Sequence, residues 1–144
     1  MAEGLAPTPH DLRAARVADP KARERDLADR LGVTEAHLVA AHAGHGVTRI
    51  AASPARLLAA VPALGEVMAL TRNESCVHER VGTYSAYHEG PHAGIILGED
   101  IDLRIFPSHW VHGFAVEKET ADGLRRSLQV FDAAGDSIHK IHLR

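Results

Sequence analysis

Cysteine is nearly absent from this 144-residue chain: Cys76 stands alone, which leaves no intramolecular disulfide and no cysteine-rich zinc site. That fits a reducing compartment, and the cytoplasm is the expected location. Long apolar runs are missing as well. No stretch approaches the roughly 20 apolar residues of a membrane helix, and the first twenty residues alternate Ala, Pro, Asp and Arg with no apolar signal core. Membrane insertion and export are therefore not expected. A basic excess is lacking too: Lys and Arg number 16 against 19 Asp and Glu, for a formal charge of −3. Without surplus cations to pair with phosphates, a nucleic-acid partner is not expected. Nor is there a glycine-rich phosphate loop, a nucleophile elbow or an HExxH pair.

What remains is an ordinary globular composition, 45% hydrophobic and 24% charged, of the length of one domain spanning 1–144. One feature departs from the ordinary. Eleven histidines stand beside only 4% aromatic residues, and protonating all of them would carry the charge from −3 to +8.

The first part of the chain, 8–65, reads as mainly helical. Thr8 with Pro9 is a helix start, and Asp19 with Pro20 repeats it; Ala22, Leu27, Ala28 and Leu31 then form a stripe that Gly32 stops. Thr34 caps a further helix carrying Leu38, Val39 and Ala41 and ending at Gly44, and Ser53-Pro54 opens a short one with Leu57, Leu58 and Val61. Over 66–144 the texture changes to short runs rich in Val, Ile, Tyr and Phe between turn residues. Strands are expected near 67–72, 76–85, 92–98, 101–106, 109–118, 125–132 and 137–143. The run Asp132-Ala133-Ala134-Gly135-Asp136 joins the last two as a hairpin. Helices first and strands afterwards argue for an α+β fold with N-terminal helices and a large, mainly antiparallel twisted sheet. The chain stops two residues after His142, straight out of a strand, the pattern of a unit belonging to something larger.

Several constellations in the sequence have spacings that could carry chemistry. Arg23 to Gly44 has helix-turn-helix spacing, which would make a DNA-binding regulator. Its second helix, however, offers an acid and two histidines and no Arg or Lys to reach bases or phosphates, so two packed helices supporting the sheet are favoured. Of the His-x-x-His pairs, His42 with His45 lies where a helix ends. His109 with His112 and His139 with His142 fall on strands, where residues three apart point to opposite faces. Those four read as strand-surface or sheet-edge histidines. Cys76 and His78 share a strand face, yet nothing aimed at a carbonyl accompanies them. In the run 101–106, Ile101, Leu103 and Ile105 share one face, while Asp102, Arg104 and Phe106 share the other.

The segments TRNESCVHERVGTY, GPHAGIILGEDIDLRIFPSHWVHGFAVE and RRSLQVFDAAGDSIHKIHL, in this order after DLADRLGVTEAHLVAAHAG, resemble the HemS/HmuS and ChuX-type haemin-utilisation family, over roughly residues 20–143. The match is to one half, the first, of the two-half HemS-like proteins. The resemblance implies a cytoplasmic haem-binding protein of haem uptake and iron acquisition that holds and delivers imported haem. An oxygen-dependent haem-degrading enzyme is the alternative. It also implies that Arg104 and Phe106 face the haem, a cationic donor beside an apolar wall suiting an apolar macrocycle with polar iron ligands and propionates. The alternative pairs Arg104 with a surface acid and puts Phe106 in the core. In the two-half proteins the principal axial histidine belongs to the second half and has no counterpart here. The resemblance implies His78 as the iron ligand, because a histidine at this place in the first half is a haem-ligand candidate in the family, with Glu79 or a backbone carbonyl to hold its second nitrogen. His92 is the second choice. Trp110 is a candidate to stack on the haem edge, and Arg125, Arg126 and Lys140 are candidates to hold propionates. The expected partners are haem, a second copy of the chain in a homodimer with stacked sheets, a haem importer and a downstream haem oxygenase.

Overall fold

The computed structural model describes residues 5–144. It opens with three helices, α1 (Pro9–Ala18), α2 (Glu24–Leu31) and α3 (Glu35–Ala40). Thr8 caps α1 through a reciprocal box: its hydroxyl accepts from the Asp11 N–H at 3.1 Å, and the Asp11 carboxylate accepts from the Thr8 N–H at 2.9 Å. Thr34 caps α3 in the expected way, accepting from the His37 N–H at 3.1 Å. Asp19-Pro20, expected to start a helix, instead closes α1, with Asp19 as its C-cap. α2 begins only at Glu24. Leu12, Leu27, Ala28, Leu38 and Ala41 bury the contact of the three helices.

A four-residue strand, β1 (Val47–Ile50), follows, then α4 (Pro54–Ala60) and a 3-10 turn over Val61–Leu64. Eight strands complete the chain: β2 (Glu66–Arg72), β3 (Val77–Thr83), β4 (Tyr87–Glu89), β5 (Gly94–Leu97), β6 (Asp102–Ile105), β7 (His112–Thr120), β8 (Gly123–Phe131) and β9 (Ser137–Leu143). With β1 they form two antiparallel sheets, a six-stranded one ordered β1-β7-β8-β9-β2-β3 and a three-stranded one ordered β4-β5-β6. The β8–β9 turn is the expected one. Its Gly135, at φ 90°, lies so close to α3 that a Cβ would sit 2.5 Å from the Thr34 hydroxyl, and its carbonyl accepts from the Ala36 N–H.

Each face of the large sheet is covered. On one, Ala36 and Val39 of α3 pack against Val47, Phe114 and Phe131. On the other, Leu57, Leu58 and Val61 pack with Val67, Ala69, Val130 and Ile141, together with Ile96, Ile101 and Ile105 of the small sheet and its approach. Each such fully buried aliphatic side chain contributes about 1.5–3 kcal/mol. Alternation along the strands therefore sorts every residue to the helical face or to the small-sheet face. The six residues 101–106 obey it as expected: Ile101 and Ile105 are buried and Leu103 is half-buried, while Asp102, Arg104 and Phe106 are exposed.

Candidate functional site

The small sheet meets the large one along β6, and two adjoining cavities of about 320 and 310 Å3 open there. They share Thr71, Leu103 and His139. The first is walled by Arg104, Phe106, His109 and Trp110, the second by His78, Arg80, Asp100 and Asp102. His78 is brought to this cleft by register: it pairs with Thr71 on β2, so both project to the small-sheet face. Arg80, two residues on, is pinned to Asp100 at 2.7 Å and closes that end of the cleft.

On the other side, Arg104 pairs with Ile95 and points away from the core, and among the described residues no acceptor or carboxylate meets its guanidinium. Phe106, two residues along, leaves 54% of its surface exposed although it is a large apolar side chain. Beyond it a 3-10 turn over Pro107–His109 swings Trp110 inward, where it is 9% exposed and lies against the cavity. Neither Arg104 nor Phe106 is thus accounted for by a surface ion pair or by the core.

The floor of the cleft is a histidine expected at a strand surface or sheet edge. His139 is 5% exposed on β9, a central strand of the large sheet. Its Nδ1 lies 3.0 Å from the Thr71 hydroxyl and its Nε2 2.5 Å from the Tyr84 hydroxyl. The ring of Trp110 stacks over it with centroids 6.3 Å apart. The Tyr84 hydroxyl has no other partner among the described residues, so it donates to Nε2 and the Nδ1–H donates to Thr71. Burial pushes the imidazole down to about 4 and the Tyr84 phenol above its ordinary value. His139 is a neutral, fixed element joining the two cavities. With both nitrogens taken, it is not free to bind iron.

Four sequence candidates, His78, Arg104, Phe106 and Trp110, therefore border one cleft. The others do not. His92 sits exposed in the turn between β4 and β5 and lines neither cavity. Glu79 follows His78 on β3 and points to the helical face, so it cannot hold the His78 ring as expected. Lys140 also faces the helices and is bonded to Glu35 at 2.5 Å. Arg125 and Arg126 stand at the far end of the β7–β8 hairpin, paired with Asp122 and Glu117. None of these three cations borders the cleft.

The model of the family described as "Haemin-degrading HemS.ChuX domain" matches residues 32–144. The chain belongs to this family. Within the HemS/ChuX family it is 42% identical, over 130 residues, to the hemin transport protein HmuS of Yersinia pestis, a match that covers 90% of this chain and 38% of that protein. Among solved structures it superposes on holo-PhuS, a haem-binding protein from Pseudomonas aeruginosa, with a TM-score of 0.88 at 43% identity, covering 95% of this chain and 41% of that one. It superposes on the haem-degrading enzyme ChuS of Escherichia coli O157:H7 with a TM-score of 0.83 at 35% identity, covering 92% and 40%. The chain spans about two-fifths of the length of these HemS/ChuX relatives. Among its described residues no helix is long and apolar enough to cross a membrane.

Proposed function

We propose that the cleft between the two sheets binds haem, and that the protein holds and passes on imported haem in iron acquisition, in the cytoplasm. One observation carries this reading: an unpartnered Arg104 and an exposed Phe106 stand side by side at the cleft that His78 borders from the opposite sheet. Haem is a flat apolar ring with polar demands at its iron and its propionates, and this donor set matches it. His78 is the axial ligand in this reading, with a free imidazole on an exposed strand. Arg104 would donate to polar groups of the haem, and Phe106 with Trp110 would form the apolar wall. His92 is too far around the small sheet to share the cleft's lining.

A titration with hemin tests the reading. A Soret band saturating near one haem per chain is expected, shifted and weakened in His78→Ala. A band that never saturates sinks the binding claim, and an unaltered spectrum in His78→Ala removes His78 as ligand. Size-exclusion chromatography with light scattering on the same samples tests the homodimer: twice the 15.5 kDa chain mass is expected, and a monomer overturns it. An importer upstream and a haem oxygenase downstream are the partners this role requires.

A second reading is favoured by the relative that degrades haem and by the free guanidinium of Arg104. Haem would supply the oxygen chemistry when bound, Arg104 would offer it a hydrogen-bond donor in the cleft that His78 borders, and the chain would then be a haem-degrading enzyme. Bilin and free iron formed with a reductant in the presence of catalase support that reading; their absence leaves carriage.

A further inference from the structure

A cavity of about 530 Å3, larger than either cavity of the cleft, lies on the opposite, helical face of the large sheet, between the start of α2 and strands β2, β3 and β9. Its charges are unequally matched. Lys140 is bonded to Glu35 at 2.5 Å, and Glu24 is shared between Arg16 at 3.2 Å and Lys118 at 3.8 Å. Those acids are neutralised where they stand. What is left on the lining is Arg23, Arg25 and Arg72 against Glu79 alone, three cations to one anion, none of them in an ion pair among the described residues. Burial, with Lys140 beside it, pushes His142 below the usual imidazole range, so it stays neutral and adds nothing.

Two further observations point the same way. Arg72 is only partly buried and lines the cavity, and its Nε has no hydrogen-bond partner among the described residues, so the guanidinium is not committed elsewhere in the fold. The N-terminus of α2 opens on the same space, and its N-cap, Arg23, supplies no side-chain acceptor to the N–H groups of the first turn. Uncapped amides at the positive end of a helix are an anion cradle. Glu24 and Asp26 in that turn temper the dipole without capping it.

We propose that this cavity is a binding site for a small phosphorylated molecule, its phosphate seated between the first turn of α2 and the Arg72 guanidinium, with Arg25 beside it. The site is separated from the cleft by the thickness of the sheet, since Arg72 and Thr71 are neighbours on β2 and point to opposite faces. It stands whether or not the chain binds haem.

Titration of the full chain with inorganic phosphate at constant ionic strength, followed by amide chemical shifts, tests this. Saturable shifts are expected at Glu24, Arg25, Asp26 and Arg72. Arg72→Gln weakens binding about tenfold or more, the loss expected for one charge-assisted hydrogen bond. The exposed Arg56→Gln, on α4 across the sheet, leaves it unchanged. Should Arg72→Gln fold poorly, the double variant Arg23→Gln/Arg25→Gln on the helix surface carries the same decision. Shifts that never saturate, or saturable binding that the Arg72 and Arg23/Arg25 variants leave intact, overturn the site.

Discussion

Lowering the pH from 7 to 4 should charge His139 and cost the fold about 3 kcal/mol. The imidazole is held at about 4 by burial, against an ordinary value of 6.5, and that interval is worth about 3 kcal/mol of stability. Between the two values the unfolded chain binds the proton and the folded chain does not, so stability rises with pH there. The stabilisation is complete above about pH 6.5 and is lost as the pH falls through 4. Other groups titrate in the same window, so the effect is isolated by comparison with His139→Asn, whose amide can still donate to Thr71 from the Nδ1 position but does not ionise. Urea unfolding followed by the fluorescence of Trp110, the only tryptophan and the residue stacked on His139, gives the free energy of each protein at each pH. Wild type is expected to lead the variant most at pH 7, with the gap shrinking by about 3 kcal/mol at pH 4. A gap that stays constant between pH 7 and 4 would mean that the imidazole is not kept neutral by burial.

Arg104→Leu separates the cleft's ligand role from its structural one. The side chain is exposed and unpartnered among the described residues, so unfolding free energy should move by no more than about 0.5 kcal/mol. Hemin affinity should fall about tenfold or more with the lost charge-assisted bond. Stability and affinity falling together in thermal melts and hemin titrations would contradict this. Gly46→Ala should destabilise by about 1–3 kcal/mol, because φ is 88° there and the new Cβ would lie 2.7 Å from the Glu117 carbonyl oxygen that β7 presents. An unchanged melting temperature would show that β1 is not held through this contact.

Helix starts were readable where a side-chain cap writes them, as at Thr8 and Thr34, and misleading where a proline merely follows an aspartate, as at Asp19-Pro20. The alternation over 101–106 was readable because β6 has one dry face and one wet one. β1 escaped notice because four residues between Gly46 and the α4 start are too few to show a period, and β4, Tyr87–Glu89, is shorter still. α3 stops at Ala40 rather than at Gly44, with Ala43 bridging to Val47. For the cleft, His78, Arg104, Phe106 and Trp110 are legible in motifs, whereas spacing makes His139 read as a strand-surface or sheet-edge histidine. Its burial depends on β9 being a central strand, and strand order is a long-range property that spacing along the chain does not encode. Glu79 and Lys140 failed as site residues for a reason that was legible: each is one residue away from a position facing the cleft.

The walls of the cleft belong to two different hydrogen-bonded ladders, β2–β3 on one side and β5–β6 on the other, with no backbone bond running between β3 and β6. Its width is consequently set by side chains alone, chiefly Leu103 and Ile101 resting near Ala69. Packing, together with the Arg80–Asp100 pair, is therefore what holds the two ladders at their distance. β3, which carries His78, is moreover an edge strand of the large sheet, so its backbone is laddered on one side only, to β2.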